Sequence, residues 1–432
     1  MAEQGAFTAV APIDPGKLDS LRNLLMGIGE KVTPPDCPIA FERLGTVHFM
    51  RWVILEPGRD AAGRHYPPYL VLSTNFDAPL DKHLDELVSV TRPKFDEIYS
   101  HCLGFDPKHA VRYLRDHSIG YQAFYVGTRG RGVAQIRAEE RLRDDIQTYL
   151  DEHKADLPAK PDELHARLRA QFTTGAYEWV VKQPAGAPPV AVPKSLIFWV
   201  GAAVLLATWA VGVFLLEWPW WVVPAVLLAA VALFLIALRA YEILEPRPAV
   251  PHTGAPVAAL TDREDRVVQN QLTHFVAVKP YVFRRLTLRV VLRVIDLFGR
   301  LVFVRGALGG IPSIRFARWV LVDRGRRLLF MSNFDGSWEN YLGDFIDKAA
   351  IGLTAVWSNS VNCPPAKFLI YAGASDEAAF KAWTRQHQIM TQVWYSAYPG
   401  LSVENINNNT RIRLGLIDPL TGARAEQWLA LL

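Results

Sequence analysis

The sequence predicts an α+β protein in which two copies of a β-α-β-β-α-β unit flank a pair of membrane-spanning helices. The first observation is a hairpin motif that occurs twice, as "FMRWVILEPGRDAAGRHYPPYLVLSTNFDAP" from Phe49 and as "FARWVLVDRGRRLLFMSNFDGSW" from Phe316. The second is the long apolar segment between the two copies. The third is the order of segments with strand-like and helix-like hydrophobic periodicity, which is the same in the two copies.

Composition supports a membrane contribution. Half of the 432 residues are hydrophobic and 21% are charged, which is an apolar balance for a soluble chain. The net charge of +4 is too small to indicate a nucleic-acid partner. Three scattered cysteines predict reduced thiols in a cytosolic compartment, and the first residues lack the basic and apolar regions of a signal peptide.

Four blocks recur in the same order. "FTAVAP" at 7–12 matches "FVAVKP" at 275–280, and "HFMRWVIL" at 48–55 matches "RFARWVLV" at 315–322. "NFD" recurs at 75–77 and 333–335, and "FYVG" ending at Gly127 is matched to "IYAG" ending at Gly373. This repetition predicts an internal duplication.

The second copy shows the predicted elements most clearly. A strand is expected at 273–278, a helix at 283–304, and two hairpin strands at 314–322 and 327–332 around the turn "DRGR". A helix at 337–353 and a last strand at 367–372 follow. With the turn at Arg324-Gly325, Phe316 should oppose Asn333 and Arg318 should oppose Met331.

These elements divide the chain into five parts. We expect a first unit at 1–182, a Pro/Ala-rich linker at 183–194, a transmembrane hairpin at 195–238, a linker at 239–270, and a second unit at 271–432 that includes a basic helix at 282–305.

The β-α-β-β-α-β order resembles the ferredoxin-like fold, whose sheet leaves one face in need of a partner. Two such units in one chain resemble the dimeric α/β-barrel superfamily, which includes dye-decolorising peroxidases, chlorite dismutases and small monooxygenases. The resemblance implies that the two units form a pseudo-dimeric α/β barrel, but a shared fold does not specify a function.

The apolar segment predicts a transmembrane hairpin. Residues 195–216 carry no charge, a turn follows at "EWPW" (217–220), and 221–238 is apolar again. Tryptophans at the turn suit a membrane interface, and Lys194 and Arg239 flank the hairpin. The positive-inside rule then places both halves in the cytoplasm, on a multi-pass protein of the inner membrane. The alternative is a buried hairpin of a large soluble core.

The basic helix predicts a second membrane contact. On a helical wheel Arg285, Arg289, Arg293 and Arg300 fall on one stripe with Asp296, and most other positions are apolar. Such a helix suits the surface of a membrane rich in anionic lipid. A core helix or a groove for a protein partner is the alternative.

The repeated hairpin supplies the candidate site residues. Arg318, Asn333 and Asp335 are expected on one strand face, as candidate catalytic residues, and Arg51, Asn75 and Asp77 repeat the set as candidate ligand-binding residues. The alternative is structural: the two aspartates cap the helices that directly follow them, near Pro79 and Ser337. In the C-terminal tail, Trp394, Tyr395 and Arg411 add groups that line aromatic or anion-binding pockets.

The resemblance to dye-decolorising peroxidases implies a haem site. Their G-x-x-D-G motif supplies a distal aspartate, and a later histidine ligates the iron. Here Asp335-Gly336 matches the end of that motif, Ser332 replaces its first glycine, and His387 would be the ligand.

Two functions follow. The first is a membrane-anchored lipid-surface or scaffold module for a protein partner or an amphipathic ligand, with self-association left open. The second is a haem-dependent, peroxidase-like oxidoreductase that acts on a lipophilic substrate.

Overall fold

The structure is a computed structural model that describes residues 4–32, 36–77, 79–183, 190–245, 267–304, 306 and 308–432. The chain forms an α+β fold with antiparallel sheets and two long apolar helices. The predicted α+β class is therefore confirmed. Residues 184–189 of the first predicted linker and 246–266 of the second lie outside the described residues.

Eight strands build two four-stranded antiparallel sheets. In chain order the strands are β1 (Gln4–Pro12), β2 (Val47–Leu55), β3 (Tyr69–Asp77), β4 (Ala123–Val126), β5 (Gln269–Ala277), β6 (Ile314–Val322), β7 (Arg327–Asp335) and β8 (Val393–Ser396). The first sheet has the order β1-β3-β2-β8, and the second has the order β4-β6-β7-β5.

The fourth strand of each sheet comes from the other half of the chain. Strand β4 pairs with β6, and β8 pairs with β2. Each of these segments first touches its own sheet, where the Ile119 amide donates to the Thr8 carbonyl and the Ile389 amide donates to the Thr273 carbonyl, both at 2.9 Å. Neither half therefore completes a four-stranded sheet by itself.

One predicted strand is wrong. The segment 367–372 is a two-residue ladder between Ala366–Lys367 and Tyr371–Ala372, and its tip has positive φ at Phe368 and Leu369. The fourth strand is β8 instead, within "HQIMTQVWYSA" (387–397), which matches "HSIGYQAFYVG" (117–127). A short apolar run carries too little periodicity to distinguish these alternatives.

The central hairpin agrees with its prediction. Phe316 pairs with Asn333 and Arg318 pairs with Met331. The turn at Asp323–Gly325 places Arg324 at a φ of 57°, and β7 extends to Asp335.

Fourteen α-helices lie within the described residues. They are α1 (Leu18–Gly29), α2 (Leu80–Thr91), α3 (Lys94–Tyr99), α4 (Ala110–Asp116), α5 (Val133–Glu152), α6 (Pro161–Gln171), α7 (Trp179–Lys182), α8 (Lys194–Phe214), α9 (Val222–Leu244), α10 (Val282–Leu301), α11 (Trp338–Trp357), α12 (Glu377–Gln386), α13 (Val403–Gly415) and α14 (Ala423–Leu429).

The core has layers on both sides of each sheet. Val53 and Val71 of the first sheet share a buried cluster with Val320 and Leu329 of the second, so the two sheets pack face to face. Two larger clusters lie between the sheets and the helices that cover their outer faces. A fourth cluster joins α5, α6, α13 and α14.

Candidate functional site

Arg51 connects the two sheets. It extends from β2 of the first sheet, and its Nη1 donates to the Leu272 carbonyl at 3.1 Å and to the Thr273 hydroxyl at 2.9 Å. Its Nη2 donates to the Ser332 carbonyl at 3.0 Å and to the Asn333 side chain. These acceptors all belong to β5 and β7 of the second sheet.

Arg318 makes the reciprocal connection from β6 to the first sheet. Its Nη1 donates to the Phe7 carbonyl at 2.7 Å and to the Thr8 hydroxyl at 3.1 Å, and its Nη2 donates to the Thr74 carbonyl at 2.6 Å. Burial lowers the pKa of Arg318 to about 9. Burial, and then the charge of Arg318, lowers the pKa of Arg51 to about 9.

Asn333 is the centre of a small polar cluster. Its side-chain oxygen also accepts from Trp394 Nε1 at 3.0 Å, and its amide nitrogen lies 3.4 Å from the Asn75 oxygen. The structure therefore brings together four predicted residues, which are Arg51, Asn75, Asn333 and Trp394. Among the described residues, no hydrogen bond joins Arg318, Asn333 and Asp335 to one another.

Asp77 belongs to a second buried cluster. His48 lies between Asp77 and Tyr398, with 2.6 Å from His48 Nε2 to Asp77 Oδ1 and 2.6 Å from His48 Nδ1 to the Tyr398 hydroxyl. The other carboxylate oxygen of Asp77 accepts from the amide of Val133, the first residue of α5.

Asp335 repeats this arrangement in the second half. Its Oδ1 accepts from Arg315 Nε at 2.5 Å, and its Oδ2 accepts at 2.6 Å from the amide of Val403, the first residue of α13. Burial raises the pKa of Asp335, and the charge of Arg315 opposes that rise.

The predicted caps therefore have different targets. Asp77 and Asp335 cap α5 and α13, not the helices that directly follow them in the chain. The cap of α11 is the Ser337 hydroxyl, which accepts from the Asn340 amide at 3.2 Å. The physical reason is the strand exchange, which carries the starts of α5 and α13 to the ends of β3 and β7.

The other tail residues lie apart from these clusters. The Tyr395 hydroxyl accepts from Arg137 Nη2 at 2.9 Å, and burial raises the pKa of Tyr395. Arg411 is exposed and donates to Asn408 at 3.3 Å.

His387 is the haem ligand that the resemblance to dye-decolorising peroxidases implies. His387 Nδ1 lies 2.9 Å from the Trp383 carbonyl, and burial lowers the pKa of His387. The ring of His274 lies 5.9 Å away and lines a cavity of about 20 Å³, which is room for about one water. Both oxygens of Asp335 are bonded to protein donors. This geometry does not fit a porphyrin here, and it favours the structural interpretation of Asp335.

The basic helix α10 has two distinct exposed stripes. Arg289, Arg293 and Arg300 form one of them. An apolar stripe lies beside it, and all of its members are 47% to 62% exposed: Val282, Leu286, Val290, Val294 and Leu297. Asp296 is turned toward the protein, where it accepts from the Phe124 amide at 3.1 Å. Arg285 is half-buried.

The apolar helices α8 and α9 contact each other at their shared turn. Gly212 packs on Val223 and Trp218, and Trp209 Nε1 donates to the Trp220 carbonyl at 2.7 Å. Between this turn and the protein body most residues of both helices are exposed. Both are long and apolar enough to cross a membrane.

The other ends of α8 and α9 attach to opposite ends of α10. Before α8, the Val192 amide donates to the Leu301 carbonyl at 2.8 Å. After α9, the Glu245 carboxylate accepts from Arg284 Nε at 2.8 Å and from Lys279 Nζ at 2.6 Å. The Tyr241 ring also stacks on Phe283 at 5.2 Å. The three helices therefore form a triangle.

These clusters also contain residues that were not predicted from the sequence. His48 and Arg315 occupy equivalent positions in "HFMRWVIL" and "RFARWVLV", so the repeat itself carried that signal. No sequence signal indicated Glu245 or Arg284, because charged residues are common at helix ends and the two residues are distant from each other in the sequence.

Comparison with known proteins adds no identification: no family model, curated protein or solved structure matches the chain.

Proposed function

We propose that this protein is a membrane-anchored lipid-surface module. Helices α8 and α9 cross the bilayer as a hairpin, α10 lies along the membrane surface, and the two-sheet body is a rigid scaffold for a protein partner or an amphipathic ligand. The observation that carries this proposal is the attachment of both apolar helices to the two ends of α10.

The geometry of the triangle supports this orientation. Leu301 and Arg284, which hold the two helix ends, are about 25 Å apart along α10 at 1.5 Å per residue. Helices α8 and α9 have 21 and 23 residues, and each matches the hydrocarbon core of a bilayer. If both cross the bilayer, their body-side ends lie at one surface, and α10 lies in the plane of that surface.

The side chains of α10 suit that position. Its apolar stripe can enter the boundary between headgroups and acyl chains, while the adjacent arginines contact anionic headgroups. Each arginine near such a surface contributes about 1 kcal/mol of binding free energy, so Arg289 and Arg293 contribute about 2 kcal/mol together. Arg300 contributes less, because its Nε pairs with Asp296 at 2.8 Å.

We further propose that both halves lie on the cytoplasmic side of the inner membrane. Lys194 and Arg239 are near the body-side ends of the hairpin, and Glu217 is the charged residue of the distal turn. The positive-inside rule then favours a cytoplasmic body.

For the body, we propose two ferredoxin-like units that close into a pseudo-dimeric α/β barrel. Three observations support this: the equivalent strand orders, the face-to-face packing around Val53 and Val320, and the segments 118–126 and 388–396, each of which touches both sheets.

Hydrogen exchange of the full-length chain in nanodiscs tests the surface contact. We expect the amides of α10 to exchange more slowly in nanodiscs that contain phosphatidylglycerol than in phosphatidylcholine nanodiscs. The triple variant Arg289→Gln, Arg293→Gln, Arg300→Gln should lose this difference.

A matched control neutralises three exposed arginines of the first half, Arg112 and Arg115 on α4 and Arg141 on α5, and it should keep the difference. If wild-type α10 exchanges at the same rate in both lipids, the proposed contact with anionic lipid is wrong.

A further inference from the structure

A small basic cavity lies beside the N-terminal end of α10. Its volume is about 50 Å³, which exceeds the roughly 10–15 Å³ that one water needs. Its lining residues come from both halves of the chain and are Asp60, Ala61, Ala62, Arg64, Val278, Lys279, Pro280, Arg285 and Arg326.

The longer hairpin loop of the first copy completes this cavity. The loop between β2 and β3 supplies Asp60 and Arg64, and the turn of the second hairpin supplies Arg326. Tyr66 of the same loop lies under the guanidinium of Arg327, 4.4 Å from ring centre to Cζ, which fixes the loop against the second half. The extra residues of the first hairpin, which the second copy lacks, therefore have a structural role at this cavity.

The cavity has an excess of positive charge. Arg64, Lys279, Arg285 and Arg326 line it, with Asp60 as the single lining carboxylate. The oxygens of Asp60 already accept from the amides of Ala62 and Arg64 and from the Tyr66 hydroxyl. Arg326 Nε lies 3.8 Å from Asp60, which is a long ion pair.

Burial in this cavity is costly for two of the lining cations, Arg285 and Lys279. Arg285 Nε is buried without a hydrogen-bond partner among the described residues, a costly state for a charged donor. Burial, and then the charge of Arg284, lowers the pKa of Lys279. An anion in the cavity would relieve both penalties.

The cavity is also next to the proposed membrane surface. Lys279 donates to Glu245, the residue that directly follows the apolar helix α9, and Arg285 lies one helical turn before Arg289 on α10. A phosphate in the cavity would therefore be at the depth of lipid headgroups if α9 crosses the bilayer.

We propose that this cavity binds the phosphate group of an anionic membrane lipid, with a phosphomonoester headgroup as the best fit. The small volume suits a single phosphate group, the excess of lining cations favours the extra negative charge of a phosphomonoester, and the guanidinium groups of Arg285 and Arg326 suit phosphate oxygens. This inference rests on the proposed function, because that function places the cavity at the membrane.

Native mass spectrometry of the full-length chain in detergent tests the proposal, with phosphatidic acid, phosphatidylcholine or inorganic phosphate added in separate samples. Wild type should retain phosphatidic acid at least about tenfold more strongly than phosphatidylcholine. The pair Arg285→Gln, Arg326→Gln should lose this preference, whereas Arg112→Gln, Arg324→Gln, with the same charge change at exposed positions outside the cavity and outside α10, should keep it.

Three outcomes would overturn the proposal. The first is an equal loss of the preference in both variant pairs, which would indicate diffuse charge attraction. The second is no loss in the pocket pair, provided that both pairs melt within a few degrees of wild type. The third is retention of inorganic phosphate without any preference for phosphatidic acid, which would identify a site for soluble phosphate.

This experiment is independent of the hydrogen-exchange test. A failed selectivity test with a protected α10 would reject the pocket alone. Selective binding with an unprotected α10 would reject the surface orientation alone.

Discussion

At the scale of single residues, the two arginines of the repeated F-x-R-W-V motif act as reciprocal braces between the sheets. Arg51 and Arg318 each donate to carbonyl and hydroxyl oxygens of the opposite sheet. A buried guanidinium without a carboxylate is costly, and here several neutral acceptors compensate that cost. The motif recurs because each sheet uses the same brace.

We expect Arg318→Met to destabilise the protein by about 2–5 kcal/mol, because the carbonyls of Phe7 and Thr74 would each lose a buried donor at a cost of about 1–3 kcal/mol. Denaturant unfolding in detergent measures this loss. Arg411→Met, at an exposed position, should change the free energy of unfolding by less than about 0.5 kcal/mol. Equal stabilities of the two variants would show that Arg318 is not a brace.

Part of this residue-level arrangement could be predicted. The predicted hairpin register correctly placed Phe316 opposite Asn333, because the position of a hairpin turn determines which residues of the two strands pair. The partners of Arg318 could not be predicted, since they lie on strands β1 and β3, more than 240 positions away in the chain.

At the scale of elements, the exchanged strands explain the helix caps. Strand β4 leads directly into α5, and β8 leads into α13. Each exchanged strand therefore places the first residue of its helix beside an aspartate of the other sheet, which is Asp77 at the end of β3 or Asp335 at the end of β7. The structural alternative predicted these caps on α2 and α11, because those are the nearest helices in the sequence. Local signals identify a capping residue but not a distant helix that it caps.

Asp335→Ala should cost about 3–5 kcal/mol of unfolding free energy, because it leaves Arg315 buried without its carboxylate and removes one acceptor at the start of α13, where the Ser402 capping box remains. Asp77→Ala should lower the free energy of unfolding by less, about 1–2 kcal/mol, since it removes a cap but leaves no buried arginine without its carboxylate. Chemical denaturation of both variants, with the exposed Asp85→Ala as the control, measures the order. A smaller loss for Asp335→Ala than for Asp77→Ala would contradict this account.

At the scale of the whole molecule, the protein is a two-sheet body attached to an apolar helical hairpin through α10. The sequence predicted the α+β class and both apolar segments well, because composition and periodicity are local properties. It did not predict that α8 and α9 attach to opposite ends of one basic helix. That arrangement depends on contacts such as Glu245 with Arg284, which no periodicity encodes.

The most direct test of the proposed orientation is the membrane depth of α10. Spin labels at Leu286, Val290 and Leu297, in full-length protein with its three cysteines replaced by serine, can be measured by power-saturation electron paramagnetic resonance in anionic liposomes. The account predicts one common depth, about 5–10 Å below the headgroup level. Depths that change by about 16 Å from Leu286 to Leu297, the distance along the helix axis at 1.5 Å per residue, would contradict it. Labels that respond only to the water-soluble relaxation agent would contradict it as well.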